Sequence, residues 1–324
     1  MEAMVMRFPV SGVETLWFLP PLVALVVSTL TSMGGVSGAF LLLPFQVSVL
    51  HYSSPSVSAT NFVYNIVAIP SGVYRYIREG RMAWPLTAIV IAGTLPGVLI
   101  GYYLRVLYLP DPRAFKLFVG LVLLYIGGRL LWELTPRSRR GKQQMKALEQ
   151  RFQEQVKRLK SDRATRIAAG LPAEAVVRTV SFNALRVVYE FWGERFSYST
   201  PGMFALAFVV GVIGGTYGIG GGAIIAPFCV AFFRLPVYTV AGAALMGTFL
   251  TSIAGVFFYS VIPAQAGLAT RPDWLLGALF GAGGFAGMYL GARLQKYVPQ
   301  QAIKGLLGAL IVFVALRYIT SFFG

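Results

Sequence analysis

Long apolar runs separated by short polar segments dominate the chain. Eight of them approach or reach the roughly 17–25 residues that a helix needs to cross a bilayer, at 16–33, 56–74, 84–104, 114–133, 202–217, 237–260, 274–292 and 302–320. Two shorter apolar pieces, 36–50 and 221–233, could be partial spans. The pattern predicts an all-α, multi-pass integral membrane protein.

Composition supports this prediction. Of the 324 residues, 56% are hydrophobic and only 12% are charged, which is not the composition of a soluble domain. The N-terminus lacks a small-residue cleavage site, so we expect the first apolar run to be retained. We expect the protein to lie in the cytoplasmic (inner) membrane, with the lipid bilayer as a partner.

The net charge of +16 is concentrated in one segment. Residues 135–199 contain fourteen Lys and Arg against six Asp and Glu, or +8. The positive-inside rule places this segment in the cytoplasm, so its charge does not indicate nucleic acid. Within it, 141–169 predicts a charged helix and 176–200 predicts short strands around a turn at Gly193. Its basic face could contact anionic lipid headgroups or simply be solvated.

An internal repeat organises the rest. A shift of 183 residues places GVSGAFLLLP (35–44) on GIGGGAIIAP (218–227), and with a small change of offset GTLPGVLIGYYL (93–104) falls on GGFAGMYLGARL (283–294). Because the matches keep their order, the sequence predicts two homologous membrane modules, 12–134 and 200–324, joined by the 135–199 insert.

Each module begins with a glycine-broken element followed by three ordinary spans. If the broken element enters and leaves on one side, the module crosses an odd number of times and the two repeats are inverted. If it crosses once, they are parallel. Residues 12–50 are too long for one span at about 1.5 Å per residue, which favours the inverted arrangement.

The consecutive glycines of each broken element suggest chemistry. They interrupt a helix and free backbone N–H groups, which a membrane interior tolerates only where they line a cavity or are buried in protein. A half-helix that starts there points its positive end at an anion. The alternative is close packing and flexibility, which we prefer for the four-residue glycine series in 93–101 and 283–291. A dinucleotide site is excluded because no βαβ unit surrounds GIGGGA.

The candidate substrate-binding residues combine the breaks with polar residues on the elements that follow. They are Gly35, Ser37, Gly38, Thr60, Asn61, Asn65, Gly218, Gly220, Gly221, Gly222, Thr248, Thr251 and Ser252. Each hydroxyl or amide could equally bridge helices. His51 and Arg234 occupy equivalent positions at the end of each first element, where they could attract an anion or anchor at the interface.

Other chemistries lack their residues. One cysteine and one histidine cannot supply the usual metal ligand sets, so no metal is expected, and Cys229 reads as a small buried hydrophobe. A phosphate-binding GxxxxGK[ST] loop is absent, and no carboxylate lies mid-span for a proton relay. We therefore expect no cofactor and no enzymatic activity.

The duplicated GGVSGAFLLLP and GIGGGAIIAP elements, each followed by VSATN or VAGAA, a span with three glycines four residues apart and a lysine-bearing last span, resemble the TauE/SafE family of sulfite exporters. The likeness covers both modules and omits the insert. It implies a secondary transporter that exports a small anion, sulfite or a related sulfur oxyanion or organosulfonate. The alternatives are an anion channel of the same architecture and a membrane-bound sensor or enzyme that uses the insert.

Overall fold

The computed structural model describes residues 4–34, 37–78, 80, 82–135, 176–191, 193–264, 267–294 and 300–323. The helices of the first half are α1 (Leu19–Gly34), α2 (Ala39–Ser48), α3 (Ser56–Ala68), α4 (Pro70–Arg78), α5 (Trp84–Tyr103), continued by a π-helical turn at Leu104–Tyr108, and α6 (Pro112–Trp132). Those of the second half are α7 (Thr200–Tyr217), α8 (Gly222–Phe232), α9 (Val237–Val261), α10 (Trp274–Leu294) and α11 (Gln300–Phe323).

Six helices of the described part, α5, α6, α7, α9, α10 and α11, are long and apolar enough to cross a membrane. Six of the eight predicted spans correspond to these helices, and the other two runs form shorter helices. The run at 16–33 forms the shorter apolar helix α1. The run at 56–74 is divided into α3 and α4 because Pro70, which has no backbone N–H to continue the hydrogen-bond ladder, starts a new helix.

The broken element of the second half is a hairpin. Cys229 Sγ on α8 lies 3.6 Å from Met203 Sδ near the start of α7, and a Cβ on Gly202 would contact the ring of Phe233. The chain therefore turns at the glycines and returns to the end where α7 began. In the first half, Phe45 of α2 similarly packs on Phe280, 6.3 Å between ring centroids, close to the start of α1.

The last helices of the two halves pack antiparallel. Gly120, near the start of α6, faces Ile319 near the end of α11. At the other end Glu133, which caps α6, forms an ion pair with Lys304 of α11 at 2.8 Å. Equivalent helices that meet in opposite directions require an inverted repeat, as the sequence favoured.

The four-residue glycine series hold helices together across the two halves, as expected for packing positions. Gly97 of α5 lies against the backbone of Phe208 and Val212 on α7, and a Cβ there would overlap both. Gly287 of α10 meets the backbone of Leu25 on α1 in the same way. Small residues thus permit the closest backbone approaches in the bundle.

A three-stranded antiparallel sheet of β3 (Arg178–Phe182), β4 (Arg186–Phe191) and β5 (Glu194–Ser199) confirms the predicted strands of the insert, with Gly193 in the left-handed turn at φ 72°. The predicted helix at 141–169 lies outside the described residues. Val177 N donates to Gly80 O at 3.1 Å, and Tyr198 packs on Phe233. These contacts define an insert face.

The opposite face carries an N-terminal hairpin and the loops that link the other helix ends. The hairpin consists of β1 (Val5–Arg7) and β2 (Glu14–Leu16). Ser11 donates through N and Oγ to Asp273 Oδ2 at 3.0 and 2.9 Å, and Ser56 N donates to Ala269 O at 3.0 Å. The start of α1 and the end of α11 lie on this side.

Candidate substrate site between the helix breaks

The two breaks meet at the centre of the bundle, on either side of α3. The amide of Asn61 donates to Ala39 O at the start of α2 (3.3 Å) and to Gly218 O at the end of α7 (3.0 Å). One side chain therefore joins the broken elements of both halves. Asn61 is fully buried, and two equivalent helix breaks meeting at one side chain are the arrangement expected of a shared binding site.

A second link depends on the helix proline of α2. Pro44 cannot donate to the carbonyl four residues earlier, so Phe40 O is left without its helical partner. The hydroxyl of Tyr217, the residue before the second break, donates to that oxygen at 2.9 Å. Sequence analysis assigned no role to Tyr217, although a tyrosine beside a glycine break is a signal that could have indicated one.

Asn65 extends the cluster one helical turn along α3. Its amide donates to Ile219 O at 3.0 Å and to Ser252 Oγ at 3.2 Å. Asn65 and Ser252 are both fully buried. Asn61, Asn65 and Ser252 thus lie together at the second break; their part in substrate binding stays a prediction.

Thr248 and Thr251 lie near the midpoint of the 25-residue α9. Their hydroxyls donate to Ala244 O (2.8 Å) and Gly247 O (2.6 Å) of the same helix. Only Thr248 touches the break, since a Cβ on Gly222 would overlap it. Within the described residues the Thr251 hydroxyl donates to carbonyls of its own helix, Gly247 O and Thr248 O, so the structure does not bring Thr251 into the cluster.

Close packing gives every glycine of the second break a steric reason. A side chain at Gly218 would enter the backbone of Ser58, at Gly221 the side chain of Thr94, and at Gly222 the carbonyl of Ala244. Gly218 and Gly220 also have φ of 86° and 77°, which favour glycine. Close packing, the alternative explanation for these glycines, therefore does account for their presence at the second break.

The N–H groups of the break divide into two sets. Those of Gly218, Ile219 and Gly220 donate to Gly214 O at 2.9, 3.1 and 3.4 Å and close the turn. Gly218 and Gly220 therefore do not offer free donors as predicted; they shape the turn. At the start of α8, Ala223 N donates to Gly220 O at 3.4 Å, so the donors left for a ligand there are those of Gly221 and Gly222, because the first N–H groups of a helix have no partner within it.

The remaining predicted residues are spread around the cluster. Gly35 lies outside the described residues. Ser37 Oγ accepts from Ala39 N at 3.3 Å, and Gly38 packs against the hydroxyls of Tyr64 and Ser28, which are 2.9 Å apart. Thr60 lies towards the face opposite the insert, where its Oγ1 is 2.9 Å from both Tyr52 Oη and Asp273 N.

His51 and Arg234 share a conformation and not a site. Both have the left-handed backbone that non-glycine residues rarely adopt, with φ of 52° and 54°. This confirms their equivalence in the repeat. Each is exposed, and the two lie at opposite faces of the bundle, outside the central cluster.

Two buried acceptors of the cluster have no hydrogen-bond partner among the described residues. They are Asn65 Oδ1 and Gln46 Oε1. Gln46 Nε2 reaches Asn61 Oδ1 at 3.5 Å, so Gln46 belongs to the cluster. The sequence analysis did not single it out, although a glutamine inside an apolar run is a recognisable signal.

No group of three or more metal-ligating side chains is found in the part of the chain that the structure describes. Cys229 is buried, as expected of a small apolar residue. The chemistry of the cluster is therefore that of amides, hydroxyls, backbone carbonyls and two helix N-termini.

The model of the TauE/SafE sulfite exporter family matches residues 21–318. The chain belongs to this family. TauE/SafE proteins are membrane transporters, and the match spans both halves and the insert between them. The chain is also 21% identical, over 304 residues, to the "Probable membrane transporter protein YunE" of Bacillus subtilis (strain 168), covering 91% of this chain and 94% of the relative. No solved structure matches.

Proposed function

We propose that the protein is a secondary transporter that exports a small sulfur oxyanion, sulfite or a related organosulfonate, across the cytoplasmic membrane, with the insert face in the cytoplasm. The observation that carries the proposal is the junction at Asn61, which joins the two helix breaks through Ala39 O and Gly218 O. The family's description as sulfite exporters supports the substrate class.

Electrostatics at the junction favour an anion. The N-termini of α2 and α8 both lie there, and each contributes about half a positive elementary charge, which the C-terminus of α7 offsets in part. The residues of the cluster include no carboxylate to balance them. A small anion within reach of the Gly221 N–H would compensate both dipoles in a region where burial strengthens electrostatic interactions.

The two amide oxygens that have no hydrogen-bond partner also bear on the protonation state of the anion. Asn65 Oδ1 and Gln46 Oε1 are acceptors, and a fully deprotonated anion would leave them unpaired. An oxyanion that still carries a proton, such as hydrogen sulfite, can donate to one of them while its charged oxygens face N–H groups. This favours the singly protonated anion over sulfate.

The inverted halves supply a mechanism. Each contributes one hairpin to the junction, so rocking one half against the other would open it to alternate faces. Asn61 and Asn65 hold break carbonyls in the arrangement seen here. When the anion binds, the two amides would donate to it and release the break carbonyls, which would allow the two halves to move apart.

Proteoliposomes loaded with sulfite, thiosulfate, sulfate or isethionate test the proposal. We expect efflux of sulfite or isethionate, little of sulfate, and acceleration by the same anion outside, which a carrier shows and a channel does not. Thr248→Val should lower the rate, whereas Thr320→Val should not, because both hydroxyls bond to their own helix but only Thr248 touches the break. Absence of flux for every sulfur anion would refute the proposal.

A further inference from the structure

A buried arginine lies between the central junction and the face opposite the insert. Arg105 sits in the π-helical turn that follows α5 and has no exposed surface. Such turns occur often at functional sites. An ionisable side chain inside a membrane protein is costly to bury, so its retention calls for a specific reason.

The guanidinium is held by backbone oxygens and by a ring. Its Nη1 donates to Leu109 O, and its Nη2 donates to Ser53 O at 2.9 Å. The guanidinium carbon lies 3.7 Å from the centroid of the Phe115 ring. The side chain thereby ties the loop after α2 to the loop before α6.

No carboxylate pairs with Arg105 among the described residues. Asp273, on the same side of the bundle, accepts from the backbone and hydroxyl of Ser11 and from the N–H of Leu276. The Nε of Arg105 is buried and has no hydrogen-bond partner in the described part of the chain. A full positive charge whose Nε–H makes no hydrogen bond to the described residues thus remains in a buried position.

Polar side chains connect this charge to the central junction. Arg105 Nη2 donates to the carbonyl of Ser53, the residue after Tyr52, and the hydroxyl of Tyr52 lies 2.9 Å from Thr60 Oγ1. Thr60 is the neighbour of Asn61 on α3. This series of groups leads from the junction towards the face opposite the insert.

We propose that Arg105 is a second anion-binding station, occupied by the sulfur oxyanion after it leaves the central junction and before it reaches the face opposite the insert. Nε–H and a neighbouring Nη–H form an edge that suits two oxygens of one oxyanion. As the anion arrives, it takes donors from Ser53 O and Leu109 O and loosens the two loops. The inference rests on the proposed function.

The test compares three variants in proteoliposomes in which the side of the membrane that bears the insert is known. Arg105→Gln removes the charge and keeps a donor, Arg105→Lys keeps the charge, and Arg113→Gln removes an equal charge from an exposed position nearby. We expect Arg105→Gln to slow sulfite efflux by about tenfold or more, while sulfite added at the insert face still raises the melting temperature. Arg105→Lys should export with a raised KM for sulfite at the opposite face, and Arg113→Gln should behave as wild type.

Wild-type rates in folded Arg105→Gln would overturn the station and leave Arg105 as a clip between loops. If the variants do not fold, phenylglyoxal applied to the wild type from the opposite face decides. Sulfite should protect Arg105 and leave exposed Arg113 reactive. Equal modification with and without sulfite, or none during transport, overturns the inference. Failure of the wild type to bind or move any sulfur anion would instead refute the proposed function.

Discussion

The two halves share a backbone plan but divide the chemistry. In the first, the helix after the break carries amides and hydroxyls, including Asn61 and Thr60. The equivalent positions of the second half are Ala244 and Ala243. There a small side chain is needed, because Gly222 of α8 packs directly on the Ala244 carbonyl. The first half therefore supplies the amide donors, and the second supplies a tightly packed glycine break.

The difference shows how an inverted repeat can form one asymmetric site. The amides of α3 reach across to the carbonyls of the second break, Gly218 O and Ile219 O. In return, Tyr217 of the second half reaches Phe40 O of the first. Each half satisfies polar groups that the other half's break or proline has exposed. Any movement of one half against the other must therefore break or rearrange the hydrogen bonds at their junction.

The largest expected effect comes from the second break. Gly218→Ala places a Cβ in the left-handed region, which costs about 1–2 kcal/mol, and drives it into the backbone of Ser58. Because the backbone of Ser58 cannot move aside as a side chain can, we expect the free energy of unfolding to fall by about 4 kcal/mol or more. The melting temperature should fall steeply. Gly193→Ala is the control, since its φ is 72° with nothing within 4 Å of a Cβ. Equal losses would show that space at Gly218 is not limiting.

The next effect concerns the donor that joins the halves. Asn61→Asp keeps the shape of the side chain and removes both amide N–H groups, leaving Ala39 O and Gly218 O without this partner. An unpaired buried polar group costs about 1–3 kcal/mol, and a charged one costs more. We expect lower thermal stability and loss of sulfite efflux.

Asn183→Asp provides the comparison for Asn61. This exposed turn residue uses only its side-chain oxygen, which accepts from Leu185 N and Arg186 N at 3.1 and 2.7 Å. Aspartate preserves that role, so stability and efflux should not change. Wild-type efflux by Asn61→Asp would show that the halves do not depend on this bridge.

The inverted architecture was largely predictable from the sequence because duplication leaves residue types in register. Gly35 and Gly218, and Pro44 and Pro227, recur at one shift, and the length of the first element favoured a hairpin. The sequence prediction was less accurate within single elements. Apolar length alone predicted one span at 56–74, whereas Pro70 divides this run into α3 and α4.

The sequence predicted which polar residues lie near the breaks but not what each of them contacts. Asn61, Asn65 and Ser252 do meet there, and that this cluster binds the substrate stays a prediction. Which N–H groups are used cannot be read from sequence, because the turn at Gly214 O is a property of backbone geometry. The place of Gln46 and Arg105 depends on contacts between helices distant in sequence.

A third comparison tests how the proline-containing helix of each half, α2 or α8, is held by the last helix of the other half. Arg129 of α6 donates to Pro227 O at 2.6 Å, and Tyr318 of α11 donates to Pro44 O at 3.1 Å. The two prolines are equivalent, but one donor is charged and the other neutral. Charged hydrogen bonds contribute about 1.5–3 kcal/mol and neutral ones about 0.5–1.5. We therefore expect Arg129→Met to lower the melting temperature more than Tyr318→Phe. The reverse order would mean that Ser48, 2.6 Å from Tyr318 Oη, makes the neutral latch the stronger one.

The smallest effect is expected at Pro70, where the halves differ in continuity. Residues 56–78 form α3 and α4, whereas the equivalent 239–261 lie within the single helix α9, with Ile253 in place of the proline. Pro70→Ile copies the second half and restores a backbone donor. Proline inside a helix costs about 3 kcal/mol relative to alanine, and isoleucine far less, but Pro70 begins a helix, where most of that cost is already avoided. We expect the free energy of unfolding to rise by about 1 kcal/mol at most. Efflux should become slower, because a continuous helix resists bending between Asn65 and the insert face.

Pro112→Ala, at the start of α6, controls for loss of a proline at a helix start and should leave efflux unchanged. Unchanged efflux in Pro70→Ile would show that the break at Pro70 is a tolerated irregularity and plays no part in transport.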